Sequence, residues 1–154
     1  MNFVKSATSE GLADADGVPH SEYMNLYKQI ARNRELSYII TGHIAVSKAG
    51  RPEPRCIFLT NGETYPYKLR MRNLNRCVQA VHQENPQVKF IAQLNHGGRQ
   101  ISRVQLLRNQ TSVCVSPVEE RVKNSLFIFP KPNTLLNECK YIKDQFVAGA
   151  AQMK

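Results

Sequence analysis

The chain has 154 residues, 42% of them hydrophobic, so it is long enough to bury one core, and its length requires no second domain. Its apolar residues come in short groups broken by charged and amide side chains, which excludes a membrane-spanning helix, and its start carries no secretion signal, so we expect a soluble, cytoplasmic protein. The formal net charge of +9 would suit a polyanion, but the basic residues are scattered along the chain without interleaved aromatics, which disfavours nucleic-acid binding.

The first predicted unit is a strand followed by a helix. Residues Phe3–Ala7 form a short β-prone stretch, and a loop rich in glycine and aspartate runs from Gly11 to Pro19. Ser21 is a candidate helix cap, and the helix should end near Asn33. Its buried face is predicted from apolar residues at helical spacing: Tyr23, Leu26, Tyr27, Ile30 and Ala31.

The second unit repeats this order. Ser37–Gly42 is an apolar run closed by a glycine, as expected of a strand buried on both faces. The many glycines and prolines from Lys48 to Tyr67 predict an irregular segment, and a helix is predicted over 69–84. The apolar stripe of this helix consists of Leu74, Cys77, Val78 and Val81.

The third unit begins with a strand over Val88–Leu94, which the paired glycines of Asn95–Arg99 interrupt. A long irregular segment over about 100–133 follows, and Thr134 is a candidate cap for a last helix. The inward residues predicted for that helix are Cys139, Ile142, Phe146, Ala150 and Met153. Strand and helix thus alternate three times, which predicts an α/β fold with a parallel sheet.

The four cysteines give no sign of a metal site or a disulfide framework. They are far apart, with no Cys-x-x-Cys pair and no histidine at zinc-ligand spacing: Cys56, Cys77, Cys114 and Cys139. We therefore expect no metal, and Cys77 and Cys139 should lie on apolar helix faces.

The most informative segment is Ile91–Gln100, which reads IAQLNHGGRQ. It resembles the third barrel strand of the old yellow enzyme family of NADH:flavin oxidoreductases. Residues 2–13, NFVKSATSEGLA, look like the first strand and loop of that family, and 39–43, IITGH, look like its second strand. The Phe129–Pro130 stretch is also similar. The three strand motifs occur in family order, so the resemblance covers essentially the whole chain.

The resemblance implies a partial TIM (β/α)₈ barrel of three βα units that binds FMN. In a complete family member, NAD(P)H reduces the flavin, which then transfers hydride to an activated alkene. The family places the backbone of Ser6, Ala7 and Thr8 against the flavin ring and a hydroxyl at Ser9 near its O4 oxygen. Gly42 would let backbone approach the ring. Gln93 would offer the pyrimidine edge one donor and one acceptor.

Each of these residues also has an ordinary structural explanation. Gln93 could satisfy a loop backbone group, Ser9 could begin a turn, and Gly42 could end its strand. His96, Arg99, His43 and Glu10 are left without an assigned role. No catalytic residue is assigned.

The resemblance extends only to the amino-terminal part of the family's barrel. An eight-unit barrel needs about 250 residues, and the family's fourth strand, with the histidine that orients the substrate, would follow Lys154. The chain is therefore expected to be a single, incomplete segment of a flavin oxidoreductase. A noncatalytic remnant that pairs with a partner chain, or with itself, through open sheet edges is the main alternative, and a basic RNA-binding module comes third.

Overall fold

The computed structural model describes residues 3–59, 65–98, 100–102, 127–128 and 136–153. These residues form two compact units. The first unit holds the described residues of three stretches: Met1–Ile44, Arg55–Ile57 and Asn61–Gln93. The second holds those of the remaining stretches: Ala45–Pro54, Phe58–Thr60 and Leu94–Lys154. The expectation that residues 1–154 form a single segment of a barrel stays a prediction.

Strands and helices alternate in the order expected from the sequence. The main strands are β1 (Phe3–Lys5), β2 (Leu36–Ala45) and β3 (Lys89–Asn95). The helices are α1 (Ser21–Ala31), α2 (Tyr65–Glu84) and α3 (Leu136–Gln152). A short antiparallel pair is formed by β4 (Ile101–Ser102) and β5 (Phe127–Ile128), within the segment predicted to be irregular.

The three main strands form one sheet in the order β1-β2-β3. They run parallel, which confirms the predicted α/β fold. In the β1–β2 pair, Val4 lies opposite Tyr38 and Lys5 opposite Ile39. Parallel strands need crossover connections, and α1 and α2 supply them between successive strands.

The core of the first unit lies beneath α1 and α2, which pack against each other. Tyr23 and Tyr27 of α1 are 1% and 0% exposed, and Val81 of α2 is fully buried. Burial of an apolar side chain such as that of Val81 stabilises the fold by about 1.5–3 kcal/mol relative to exposure. At the helix ends, Glu84 pairs with Lys28 at 3.4 Å and with Arg32 at 3.7 Å.

The loop between β1 and α1 is irregular, as predicted, and is held by its own side chains. One carboxylate oxygen of Asp14 accepts hydrogen bonds from the backbone N–H groups of Asp16 and Val18, at 2.9 and 2.8 Å. Gly17 has a φ of 72°, a conformation that favours glycine. The buried Arg70 side chain of α2 donates to the Asp16 carbonyl oxygen at 2.6 Å and ties the loop to that helix.

In the second unit, hydrogen bonds and close packing connect segments distant in sequence. The Val46 amide donates to the Asn95 carbonyl oxygen at 2.9 Å, and the Leu59 amide donates to that of Ala45 at 2.7 Å. Gly149 of α3 is buried, and a Cβ added there would lie 3.2 Å from Leu59. A glycine lets this helix approach its neighbours closely.

Several predicted element ends were wrong. β1 stops at Lys5 rather than Ala7, and β2 continues through Gly42 to Ala45. α2 begins at Tyr65, earlier than predicted, because a proline in the first turn of a helix loses no required hydrogen bond and Pro66 therefore does not delay the start.

Two predicted details of the helices were also wrong. The residue that caps α1 is His20, whose side chain makes no capping hydrogen bond, and Ser21 is already the first helical residue. Val78, placed in the buried stripe of α2, is 37% exposed, although Cys77 beside it is buried. Leu74, Cys77 and Val81 form the centre of the buried stripe, and Val78 lies at one margin of it, while Ala80 is buried at the other margin.

The predicted inward face of α3 needs one correction. Cys139, Ile142, Phe146 and Met153 are partly buried, but Ala150 is exposed, and Gly149 is buried in its place. Successive four-residue steps drift by about 40° around a helix, so a face followed from 142 through 146 to 150 leaves the buried side. Thr134 lies outside the described residues.

Candidate functional site

The residues predicted to contact a flavin ring all lie in the first unit. Ser6, Ala7, Thr8 and Ser9 follow directly after β1. Gly42 lies near the end of β2, and Gln93 lies near the end of β3. Since β1, β2 and β3 are neighbours in a parallel sheet, their carboxyl ends meet at one edge, where barrel proteins collect their active-site residues.

The loop after β1 contacts β2 at Gly42. A Cβ added to Gly42 would lie 2.5 Å from the carbonyl oxygen of Thr8 and would also collide with the Glu10 carboxylate. Real Cβ atoms do not approach other atoms this closely, so this position accepts only glycine without rearrangement. The packing of Thr8 and Glu10 therefore explains why residue 42 is a glycine. The predicted contact of Gly42 with a flavin stays a prediction.

A second contact joins β2 to β3. The backbone N–H of Gln93 donates to the hydroxyl oxygen of Thr41 at 3.0 Å, and Thr41 is only 3% exposed. Because Thr41 precedes Gly42, this bond places Gln93 beside the point where the first loop contacts β2. The structure therefore brings the three predicted segments together at the carboxyl ends of the three strands.

The Gln93 side chain is exposed, and no described residue is its hydrogen-bonding partner. Along β3 the exposed residues alternate with partly buried ones, so Gln93 shares its face with Lys89 and Ile91. An unpaired carboxamide offers one donor group and one acceptor to a ligand. The alternative interpretation, in which Gln93 satisfies a loop backbone group, receives no support from the described contacts.

The loop segment Ser6–Ser9 lies largely at the surface. Ser6, Thr8 and Ser9 are exposed, and Ala7 is partly buried. The Thr8 hydroxyl donates to the Ser6 carbonyl oxygen over a long 3.5 Å, so it constrains the segment weakly. A ligand could therefore approach this segment from solvent.

Glu10, for which the sequence predicted no role, contacts both Gly42 and Tyr27 at the carboxyl ends of the strands. Its carboxylate accepts a 2.7 Å hydrogen bond from the Gly42 N–H and another from the Tyr27 hydroxyl. The Tyr27 hydroxyl oxygen also lies 3.0 Å from the Gly42 nitrogen as a second acceptor. A carboxylate directly after the neutral stretch 6–9 was the one sequence signal that could have identified it.

Burial is the main cause of the shift in the pKa of Glu10. Loss of contact with water raises the pKa of its carboxyl group above the ordinary value, against the opposing effects of the Gly42 N–H and of the positive charge on Lys5. Burial likewise lowers the pKa of Lys5, which Glu10 partly counteracts. The Lys5 ammonium donates to the Ile40 carbonyl oxygen at 3.2 Å, on the same strand as Gly42.

The other polar residues of the motifs have structural contacts. In the second unit, the His96 ring nitrogen Nδ1 accepts a 3.0 Å hydrogen bond from the Gly98 N–H, and the ring packs on Gly50. Burial lowers the pKa of His96, which favours its neutral form. His43 is partly buried in the first unit. Arg99 lies outside the described residues.

Neither a metal cluster nor a membrane span is found in the part of the chain that the structure describes. No group of three or more histidine, cysteine or acidic side chains there could hold a metal ion. None of the described helices combines the length and the apolar character needed to cross a bilayer.

The fold is similar to solved structures of old yellow enzymes. The old yellow enzyme homologue of Zymomonas mobilis matches over 95% of this chain and 38% of its own length, with a TM-score of 0.67 and 19% sequence identity. Old Yellow Enzyme from a Pichia species matches over 75% of this chain and 28% of its own, with a TM-score of 0.61 and 16% identity. No family model and no curated protein sequence matches the chain.

These similarities confirm the fold predicted from the sequence motifs, a partial TIM barrel like that of old yellow enzymes. The chain spans 38% of the length of the first of these structures. The residues present suit the ring of a flavin, because the Gln93 amide, which has no partner among the described residues, and a largely exposed loop segment lie at the carboxyl ends of neighbouring strands.

Proposed function

We propose that this chain is the amino-terminal part of an FMN-binding, NAD(P)H-dependent oxidoreductase of the old yellow enzyme type. The observation that carries the proposal is the exposed Gln93 carboxamide, which has no partner in the described part of the chain. The Gln93 backbone is joined through Thr41 to the strand that contacts the Ser6–Ser9 loop. The fold similarity to two old yellow enzymes supports the same conclusion.

Bound FMN would supply hydride transfer from NAD(P)H to the β-carbon of an activated alkene. The residues of this chain would bind and orient the ring. Gln93 would pair with its pyrimidine edge through one donor and one acceptor, and the backbone of Ser6, Ala7 and Thr8 would lie against it. The Ser9 hydroxyl would donate a hydrogen bond near O4, which favours the electron-rich, reduced ring.

The contacts proposed here involve the ring and none involves the phosphate. A phosphate group usually adds affinity through helix N-termini and basic side chains, and this chain offers no candidate among the predicted site residues. We therefore expect weak ring binding, with a Kd of about 10 μM to 1 mM.

This expectation gives a direct test. The protein is titrated with lumiflavin, which has the ring but no ribityl phosphate, and with FMN, and quenching of flavin fluorescence is followed. We expect saturable binding of both, with dissociation constants that agree within about threefold, since the proposed contacts involve only the ring that both flavins share. Absence of saturable quenching by either flavin at millimolar concentration would contradict the proposal.

A matched pair of variants identifies the ring contact. Gln93→Leu removes the amide but keeps the side-chain size, and it should weaken lumiflavin binding by about tenfold. Gln79→Leu, at an exposed position of α2, makes the same chemical change away from the sheet edge and should leave binding unchanged. Equal affinities of the two variants would argue against a role for Gln93.

A second candidate function is a noncatalytic fragment that associates through its sheet edges. Among the described strands of the main sheet, β1 and β3 lie at the edges, and Phe3 and Val4 of β1 are 44% and 53% exposed. Unpaired strand edges with apolar residues favour association with another strand. Sedimentation at rising concentration tests this: a constant monomer mass excludes self-association, and a partner chain would have to be sought separately.

We also propose a cytoplasmic location. No disulfide is formed by the three cysteines whose side chains are described: Cys56, Cys77 and Cys139. Free thiols are maintained in reducing compartments such as the cytoplasm.

A further inference from the structure

The segment proposed to face the flavin ring, Ser6–Ser9, lies between two side chains that bond to the backbone of β2. Lys5 precedes it and donates to the Ile40 carbonyl oxygen, and Glu10 follows it and accepts from the Gly42 N–H. We infer that Glu10 is a positioning residue, which fixes this segment against β2 so that its backbone can meet a flat ring. The inference rests on the proposed flavin function.

The backbone pairing of β1 with β2 ends before this segment. The last paired residues are Lys5 and Ile39, and residues 6–10 belong to no strand. The Gly42 N–H would otherwise lack a β1 partner, and the Glu10 carboxylate takes the place of a strand carbonyl oxygen at 2.7 Å. A hydrogen bond to a charged acceptor is about twice as strong as a neutral one, so a single side chain can hold the loop.

A rigid aromatic group orients the Glu10 carboxylate. The Tyr27 hydroxyl donates to it, and the Tyr27 side chain is fully buried in α1. The ring of Tyr27 packs between those of Tyr23 and Phe90, with centroids 4.9 and 5.0 Å away. A binding segment keeps its geometry only when the residues behind it are themselves held by packing and hydrogen bonds, and Tyr27 supplies both.

The approach of Glu10 to Gly42 also leaves no room for a side chain at residue 42. The carboxylate fills the space that a side chain at Gly42 would need, together with the Thr8 carbonyl oxygen. Thr8 belongs to the segment that the resemblance places against the ring. The same contact therefore determines where Glu10, Gly42 and Thr8 lie relative to one another.

Three variants of the full chain test this role. Glu10→Ala removes the acceptor, Glu10→Gln keeps one acceptor oxygen for Gly42, and Glu35→Ala removes an exposed carboxylate of the first unit as a control. Two quantities are measured: the lumiflavin dissociation constant, by fluorescence quenching, and the exchange rate of the Gly42 amide hydrogen, by NMR. Circular dichroism verifies that each variant is folded.

We expect Glu10→Ala to raise the lumiflavin dissociation constant by about tenfold and to accelerate Gly42 amide exchange by a similar factor. Glu10→Gln should recover most of the affinity and of the protection, a rescue that a general loss of stability would not produce. Glu35→Ala should match the wild type in both. If Glu10→Ala does not fold, Tyr27→Phe, which leaves the Glu10–Gly42 bond but removes its support, should raise the constant by about threefold.

The results separate this inference from the proposed function. If the wild type binds lumiflavin and Glu10→Ala has a dissociation constant within about twofold of it, with an unchanged Gly42 exchange rate, the inference alone is overturned. If Glu10→Ala does not fold, wild-type affinity in Tyr27→Phe overturns it instead. A wild-type chain with no saturable lumiflavin binding overturns the proposed function and this inference with it.

Discussion

The Glu10 carboxylate and the Gly42 amide, 32 residues apart in sequence, are joined by a 2.7 Å hydrogen bond at the edge of the parallel sheet. The close approach of Glu10 explains why a glycine lies within β2, where it would ordinarily weaken the strand. Gly42 neither ends its strand nor occupies a special backbone conformation. It leaves space for a carboxylate and a carbonyl oxygen that must both approach the strand.

The first prediction follows from that space. Gly42→Ala should lower the free energy of unfolding by about 1–3 kcal/mol, because the new methyl group collides with the Thr8 carbonyl oxygen and with Glu10. Gly11→Asn is the control: Gly11 has a φ of 59° and no atom within 4 Å of an added Cβ, and asparagine tolerates that conformation. Urea unfolding followed by circular dichroism compares them. A loss at Gly11 as large as that at Gly42 would contradict the steric explanation.

The second prediction contrasts two buried tyrosines of α1. Tyr27→Phe removes a hydroxyl bonded to both Glu10 and Gly42 and should destabilise the chain by about 1–2 kcal/mol. The Tyr23 hydroxyl is buried and has no hydrogen-bonding partner among the described residues. Tyr23→Phe should therefore be neutral or stabilising by up to about 1 kcal/mol. Chemical unfolding measures the free energy of unfolding of both variants. A larger loss of stability in Tyr23→Phe than in Tyr27→Phe would show that the Tyr23 hydroxyl has a hydrogen-bonding partner.

The sequence predicted the fold well because the strands and helices carry strong local signals. The apolar run around Ile39 identified β2, and the stripe containing Tyr23 and Tyr27 identified the buried face of α1. Element ends were less accurate, because the end of β1 depends on whether β2 supplies partners for its backbone. No local pattern at Ser6 or Ala7 contains that information.

The candidate site was predicted in part. The motifs identified Gln93 and the loop after β1, and the structure joins both to β2. They did not identify Glu10, since its importance depends on the Gly42 amide and the Tyr27 hydroxyl, which are distant in sequence. Long-range partners of this kind become visible only when the chain is folded.

The third prediction concerns the pH dependence of stability. The pKa of Glu10 is raised in the folded state, chiefly by burial, so ionisation favours unfolding. The stabilisation that protonated Glu10 contributes to the folded state is fully present below the unfolded pKa of about 4.3. It is lost as the pH rises through the pKa of Glu10 in the folded state. Glu10→Gln removes this titration and keeps an acceptor for Gly42. The variant should therefore gain stability relative to the wild type as pH rises from 4 to 7.

The measurement is the difference in melting temperature between Glu10→Gln and the wild type at several pH values. Lys5 and His43, whose charges oppose the rise in the pKa of Glu10, are present in both proteins. Glu35→Gln, at an exposed position, supplies the background change. A melting-temperature difference that does not change with pH, or that falls as pH rises, would show that the pKa of Glu10 is not raised.

The fourth prediction concerns cysteine reactivity. Burial in α2 raises the pKa of the Cys77 thiol to about 12, so almost none of it is the reactive thiolate at pH 8. Cys139 on α3 is partly exposed and should react before Cys77. A short pulse of iodoacetamide, followed by peptide mass spectrometry, should label Cys139 at least about tenfold faster than Cys77, which reacts only when the first unit opens. Denaturant should equalise the two rates, and equal labelling in the folded protein would contradict the burial of Cys77.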